Sequence, residues 1–300
     1  MSKSKIILLE NFLSLDLINK IKKKYIILPN NKKNYKYTKV IFAKLKYFLD
    51  KKFLESFPNL KIIVSPTTGL THIDLDFCKK KKIKIIHLKS KNKMVLSITS
   101  TTELILTFVC MGIKRIINFN NSVKKGFWKR YDHNVMQFRN YTVGIIGLGR
   151  IGRQLKKILE TLNFKVMTYD INDHNKKQLS ILLQKSDIIS LNISSSGNSN
   201  FFSKSKFDIC KPNLIFINTS RGEVVDEKQM FNFFKKNKSA QCFVDVLKNE
   251  QYFSKKFKYL KKISNNYPNV FITPHIGGAS KDAIVISERV VIEDLLKYEH

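Results

Sequence analysis

One of the chain's six histidines stands in "ITPHIGG", residues 272–278, after an apolar run and before two glycines. Two similar runs precede it. "LIFINTSRGE" puts Arg221 behind the first, and "CFVDVLKNE" puts Asp245 and Glu250 behind the second. Arginine, carboxylate and histidine together can move a proton on and off an alcohol that also carries a carboxylate. Imidazole titrates near neutrality and serves as base or acid. A carboxylate at Glu250 would orient the ring of His275 and raise its pKa. A guanidinium at Arg221 can grip a carboxylate bidentately and polarise the neighbouring carbonyl. Taken singly, each has a plain alternative: a surface arginine, a solvated glutamate, a structural histidine. The set gains meaning only if the fold brings the three together.

A second stretch supplies that context. "YTVGIIGLGRIGRQL" runs a strand, 141–146, into Gly147, Gly149 and Gly152 and then into a helix. The first glycine permits a tight turn, the second lets backbone approach a pyrophosphate, and the third lets helix and strand pack closely. The helix start then carries the phosphate on its amide groups. A further strand, "FKVMTYD", ends in Asp170, eighteen residues beyond Gly152. An acid there accepts hydrogen bonds from ribose hydroxyls and repels a 2′-phosphate. No arginine follows in "DINDHN", so the pattern expects NAD in preference to NADP.

The elements that must position these residues are short β-branched runs ("KIILL", "KVIFA", "KIIVS", "SDIISLNI", "AQCFVDV", "NVFIT") separated by helix-compatible segments. That alternation predicts parallel α/β sheets. In such sheets ligands bind beyond the carboxyl ends of the strands, where Thr219, Arg221, Asp245, Glu250 and His275 fall. The reading is of two Rossmann-like parallel-sheet domains with an active-site cleft between them. Residues 1–95, completed by a helix over 282–300, form a substrate-binding domain, and residues 96–281 an NAD-binding domain.

Composition narrows the classes. With 43% hydrophobic residues the chain can build real cores. The net charge of +32, from 55 Lys+Arg against 23 Asp+Glu, is spread as lysine through every segment. No nucleic-acid motif accompanies it, so solvated lysine is the expectation, with no specific nucleic-acid partner. Four separated cysteines form no CxxC pair and read as free thiols in a reducing compartment, with no metal site. The N-terminal apolar run is too short for a signal peptide. The longest uncharged apolar run, "LILTFVCMGI", is short of the ~18 residues a bilayer requires. A cytoplasmic protein without a membrane partner is expected.

Taken in order, "GFW", "TVGIIGLGRIGRQL", "SDIISLNI", "KPNLIFINTSRGEVVDE", "VDVLKNE" and "NVFITPHIGGAS" resemble the D-isomer-specific 2-hydroxyacid dehydrogenase family, over essentially residues 60–298. The resemblance implies NAD-dependent hydride transfer between a small D-2-hydroxy acid and its 2-keto acid, 3-phosphoglycerate among the candidates. It puts Arg221, Glu250 and His275 on the family's catalytic set and Asp245 beside the nicotinamide. Gly147, Gly149, Arg150, Ile151, Gly152, Asp170, Thr219 and Gly277 fall on the rest of the cofactor site. Thr68, Gly69 and Leu70 of "SPTTGLTHIDL" become holders of the substrate carboxylate. It further implies a homodimer, with the long helix from about residue 98 at the interface. Departures are Asn192-Ile193-Ser194 in place of His-x-Pro, Gln251 in place of proline, and Thr102 where alanine is common near the substrate. Lys44 and Lys46 occupy the place of arginines in phosphoglycerate-using relatives, where phosphate ligands and ordinary surface charge are both open readings. The chain ends at His300 and is expected to lack the serine-sensing domain of some relatives. The alternative to an enzyme is a non-catalytic NAD(H)-sensing scaffold of the same fold.

Overall fold

The computed structural model describes residues 3–10, 13–89, 92–128, 130, 135–173, 175–250 and 257–298. The chain divides into two compact units, Met1–Ile98 with Ser280–His300, and Thr99–Ala279.

In the first unit, β1 (Ser4–Leu8), α1 (Leu15–Lys24), β2 (Tyr25–Leu28), α2 (Lys32–Tyr35) and β3 (Val40–Phe42) follow one another. Then come α3 (Lys51–Glu55), β4 (Ile62–Ser65), α4 (Leu75–Lys80), β5 (Lys84–His87) and α5 (Lys93–Leu96). The five strands form a parallel sheet in the order β2-β1-β3-β4-β5. Successive side chains of a strand point to opposite faces. Ile6, Val40, Phe42, Ile62 and Val64 therefore meet Leu17 and Ile21 of α1. Ile7, Ile41 and Ile63 meet Leu54, Phe57 and Phe77 on the other side. Burial on both faces explains why these strands read as unbroken apolar runs.

In the second unit the order is α6 (Ser100–Lys114), α7 (Ile116–Lys124), β6 (Thr142–Ile146), α8 (Arg150–Thr161), β7 (Lys165–Tyr169) and α9 (Lys176–Lys185). Next are β8 (Ile188–Leu191), α10 (Lys204–Phe207), β9 (Ile215–Asn218), α11 (Glu227–Lys236), β10 (Gln241–Val244), α12 (Phe257–Asn266) and β11 (Val270–Ile272). The last helix, α13 (Lys281–Lys297), belongs to the first unit, where Val290, Val291, Ile292 and Leu295 enter the core. The second sheet is also parallel, in the order β11-β10-β9-β8-β6-β7. Chain order reverses between β6 and β8 here and between β1 and β3 in the first sheet. Such reversals open crevices beyond the carboxyl ends of the flanking strands.

Residues Lys93–Lys114 are long and apolar enough to cross a membrane by length and composition. This corrects the count taken from the uncharged run alone, because a window of that size tolerates Glu103. The segment is broken at Ser97–Thr99, and α6 buries Ile105, Phe108, Val109 and Ile113 in one core with Val143, Ile188, Ile215 and Phe243. The apolarity of α6 is thus used inside the second unit. Gln251 lies outside the described residues.

Candidate active site

The glycines after β6 build a cradle in the second unit. Gly147 adopts φ +97°, and a Cβ there would lie 2.5 Å from the carbonyl oxygen of Asn192, at the end of β8. A Cβ on Gly152 would lie 2.0 Å from the carbonyl oxygen of Gly147. These two glycines are required by close packing. Gly149 differs: a Cβ there would meet nothing within 4 Å. Gly149 is also the N-cap of α8, and no side chain caps that helix start. The amide end of a twelve-residue helix therefore opens onto clear space, which is what a pyrophosphate needs. Arg150 and Ile151 form the first turn, and burial pulls the Arg150 guanidinium below its usual value.

Asp170 follows β7 at the adjacent edge. Its carboxylate accepts the Leu148 N–H at 2.8 Å on one oxygen and the Asn172 N–H at 3.0 Å on the other. The Asn172 and Leu148 amides hold its pKa below the usual carboxylate range. The oxygen facing Leu148 keeps a lone pair, which suits a ribose hydroxyl donor. The residues present thus fit a dinucleotide: Gly149 to Ile151 for the diphosphate, and Asp170 for the ribose.

Arg221, Glu250 and His275 meet beyond β9, β10 and β11 of the same sheet. The Nδ1–H of His275 donates to Oε1 of Glu250. That bond leaves Nε2 as the ring atom with a free lone pair. His275 is held at φ +56° and Asn249, just before Glu250, at φ +58°. Left-handed backbone at non-glycine residues is strained, and such strain collects where geometry is functional. Arg221 is half-buried. Burial lowers its pKa, while the charges of Glu250 and Glu223 oppose that shift. The loop carrying it is braced by Asn218, whose Nδ2 donates to the Arg221 carbonyl at 3.0 Å and whose Oδ1 accepts the Ser220 N–H at 3.0 Å. Thr219 is buried at the same strand end.

Asp245 is 1% exposed. Its carboxylate accepts the N–H groups of Ile276 at 2.8 Å and Gly277 at 2.7 Å, together with the Thr273 hydroxyl. The Gly277 carbonyl accepts from Ser100 and Thr101. Asp245 and Gly277 thus fix the loop that bears His275. Thr102, expected near substrate, is fully buried, and its hydroxyl donates to Gln154 of α8 at 2.9 Å. Asn192 donates to the backbone and hydroxyl oxygens of Ser190. Two supports escaped the sequence reading. Gly222 presses on the backbone of Leu247 and Lys248, and Glu227 accepts the Lys248 N–H at 2.5 Å. Each acts on residues more than twenty positions away, and only the glycine after Arg221 hinted at a close approach.

In the first unit, Thr68, Gly69 and Leu70 follow β4. The Thr67 hydroxyl donates to the Gly69 carbonyl at 2.8 Å and shares a bond with Ser65, which also meets His72 Nε2 at 3.1 Å. Thr68 is exposed and Gly69 and Leu70 are half-buried.

The sequence profile of the NAD binding domain of D-isomer specific 2-hydroxyacid dehydrogenases matches residues 106–277, more than half of the chain, and the chain belongs to that family. It is an NAD-dependent oxidoreductase of the class that acts on CH–OH groups. Among curated relatives, the glyoxylate reductase of Thermococcus litoralis is 29% identical over 268 residues, covering 83% of this chain and 77% of its own length. The D-3-phosphoglycerate dehydrogenase of Archaeoglobus fulgidus is 26% identical over 258 residues, and the chain spans only 47% of its length. Among solved structures, the D-lactate dehydrogenase of Aquifex aeolicus, complexed with NAD and lactic acid, shares the fold with a TM-score of 0.82. It is 23% identical, with 97% of this chain and 94% of that one covered.

Proposed function

We propose that the chain interconverts a small D-2-hydroxy acid and its 2-keto acid, with Arg221, Glu250 and His275 as its chemical groups. The observation that carries the reading is the bond from His275 Nδ1 to Glu250 beside the Arg221 loop, on the sheet that bears the glycine cradle. NAD, when bound, supplies the acceptor or donor of hydride. Nε2 of His275 takes the hydroxyl proton in oxidation and returns it in reduction. Glu250 holds the ring with Nε2 as the available nitrogen and stabilises the imidazolium between those steps. The Arg221 guanidinium anchors the substrate carboxylate and polarises the carbonyl. Asp245 and Gly277 hold the histidine loop, and Thr219 lines the cofactor side. The loop of Thr68, Gly69 and Leu70 in the first unit is a carboxylate-binding loop in this reading, through its backbone amides.

The same reading takes the protein to be a cytoplasmic homodimer. No residue of α7 is buried, and Ile116 (51% exposed), Val123, Phe127 and Trp128 (83%) leave an apolar strip along α7 and just beyond it. Large exposed apolar surface of this kind suits a partner face. The four cysteines are free thiols, which suits a reducing compartment.

The test is oxidation of NADH at 340 nm against glyoxylate, pyruvate, hydroxypyruvate, phosphohydroxypyruvate and 2-oxoglutarate. Turnover of at least one supports the reading. Silence across the panel with NADH still bound favours the sensing scaffold.

A further inference from the structure

Four strands of the first sheet begin alike. "SKIILL", "TKVIFA", "LKIIVS" and "IKIIHL" place Lys5, Lys39, Lys61 and Lys84 directly before the apolar residues of β1, β3, β4 and β5. The sheet is parallel and these strands are consecutive neighbours in it, so the four lysines lie along one edge. The loop of Thr68, Gly69 and Leu70 leaves the opposite edge, after β4. The Lys39 N–H donates to the Lys5 carbonyl at 3.0 Å, the Lys61 N–H to the Lys39 carbonyl at 2.8 Å, and the Lys84 N–H to the Lys61 carbonyl at 2.8 Å. The lysines thus form one rung across four strands, about 4.8 Å apart at the backbone and about 14 Å from end to end. Their neighbours Ile6, Val40 and Ile62 are buried, whereas Lys39, Lys61 and Lys84 are exposed and Lys5 is half-buried. Among the described residues none of the four makes an ion pair. Asp16 of α1 and Glu55 of α3 pair within their own helices, with Lys20 and Lys51.

An aromatic ring stands at the same edge. Tyr37, two residues before Lys39, is 48% exposed. The ammonium of Lys5 lies 4.5 Å from its ring centroid and that of Lys36 4.9 Å. Thr38 is fully buried between Tyr37 and Lys39, and its hydroxyl donates to the Asn34 carbonyl at 2.8 Å, which fixes both neighbours.

We propose that this edge is a sequence-independent docking surface for single-stranded nucleic acid, with the phosphates along the lysine rung and a base stacked at Tyr37. Like charges set closer than the ~8 Å screening length repel one another, and one linear polyanion compensates them together. A basic track for phosphates beside an aromatic face for a base is how single strands are held without reading their sequence. A base at the Tyr37 ring leaves Lys5 and Lys36 to its flanking phosphates. An anionic bilayer fits less well, since it takes apolar groups inserted beside the cations, and the apolar neighbours of the rung are in the core. The chain's overall charge attracts polyanions from a distance, and the rung with Tyr37 gives them a place. The inference is independent of the dehydrogenase reading.

Fluorescence anisotropy of a labelled oligouridylate of about 16 residues, titrated with the full chain at about 50 mM salt, tests it. Binding in the micromolar range is expected. Log affinity should fall against log salt with a slope of about −3, as four phosphate contacts on a single strand require. Lys39→Gln with Lys61→Gln should weaken binding about tenfold and flatten the slope by about 1.4. Lys235→Gln with Lys236→Gln, exposed on α11 of the second unit, removes the same charge and should change affinity by less than about twofold. Tyr37→Leu should weaken the single strand about tenfold at unchanged slope and leave a duplex of the same length unaffected. Equal losses in the two lysine pairs would mean attraction by total charge alone and overturn the inference. It is overturned as well if Tyr37→Leu keeps full affinity, if nothing binds at that salt, or if phosphatidylserine vesicles bind and the oligonucleotide does not. Circular dichroism of each variant separates lost binding from lost fold, and the two lysine pairs decide alone if Tyr37→Leu does not fold.

Discussion

Oδ2 of Asp245 accepts the N–H of Gly277 at 2.7 Å, two residues beyond His275. Oδ1 takes the neighbouring N–H of Ile276, and the His275 N–H itself donates to the Asp245 carbonyl at 2.9 Å. One buried residue thus holds three successive amides, and with them a histidine at φ +56°. Replacing Asp245 by alanine leaves the buried Gly277 N–H and the part-buried Ile276 N–H without their charged acceptor, at a cost of about 2–4 kcal/mol. Asp245→Ala should therefore lower the midpoint of urea unfolding, and in the fraction that folds kcat should fall more than KM rises. An unchanged kcat would remove Asp245 from the support of His275.

The bond between Glu250 and His275 gives the second prediction. His275→Ala should reduce turnover by about a thousandfold or more, since the proton then has no positioned acceptor. NADH affinity, followed by fluorescence, should survive, because the cradle is built from Gly147–Gly152 and Asp170. Glu250→Gln should be milder, by about one or two orders of magnitude, because an amide oxygen can still accept from Nδ1 while its charge is gone. Full turnover in His275→Ala would end the role given to that residue.

Much of this was legible from residues alone, and the reason is locality. Gly147, Gly149 and Gly152 stand within six residues, at the junction of one strand and the helix that follows it. The unbroken, β-branched apolar runs at Ile62–Val64 and Ile215–Ile217 read as strands, and both of their faces are buried. What was not legible depends on residues distant in sequence. Thr102 looks like a substitution near substrate, but it is buried and bonded to Gln154. Nothing in "VDVLKNE" shows that residues 273–277 will fold onto Asp245. For Lys44 the residues leave phosphate ligand and surface charge both open, and its pairing with Glu288 of α13 has no local signal. The left-handed backbone at Asn249 and His275 is not announced by a glycine, although both residue types tolerate it better than most.

Asp170 yields a prediction in pH. The Asn172 and Leu148 amides lower its pKa in the folded chain. A depressed carboxylate contributes stability above its unfolded pKa of about 3.9, and that contribution is lost as pH falls through the lower folded value. Calorimetric NAD affinity should therefore show no Asp170-linked change from neutrality to about pH 4.5. Asp170→Asn should weaken NAD about tenfold throughout and narrow the preference over NADP. A wild-type loss of affinity between pH 7 and 5 that Asp170→Asn abolishes would contradict the assignment.

The last prediction concerns the loop that carries Glu250. A Cβ on Gly222 would lie 2.2 Å from the Leu247 carbonyl carbon and 2.3 Å from the Lys248 nitrogen. Both are backbone atoms, so no side-chain rotation relieves the clash. From the other side, the Glu227 carboxylate holds the Lys248 N–H. The loop is fixed between these contacts, and Glu250 Oε2 takes the Leu247 N–H at 3.4 Å. Gly222→Ala must push Leu247 and Lys248 away and carry Glu250 off His275. A displacement near 1 Å costs about a hundredfold in rate. We expect that loss in kcat with NAD affinity intact. Glu227→Ala should cost about tenfold, and Glu227→Gln, which still presents an oxygen to the Lys248 N–H, should restore most of it. If Glu227→Gln is as slow as the alanine variant, the Glu227 charge and not its hydrogen bond sets the loop. If both retain full kcat, Gly222 alone holds Glu250 in place.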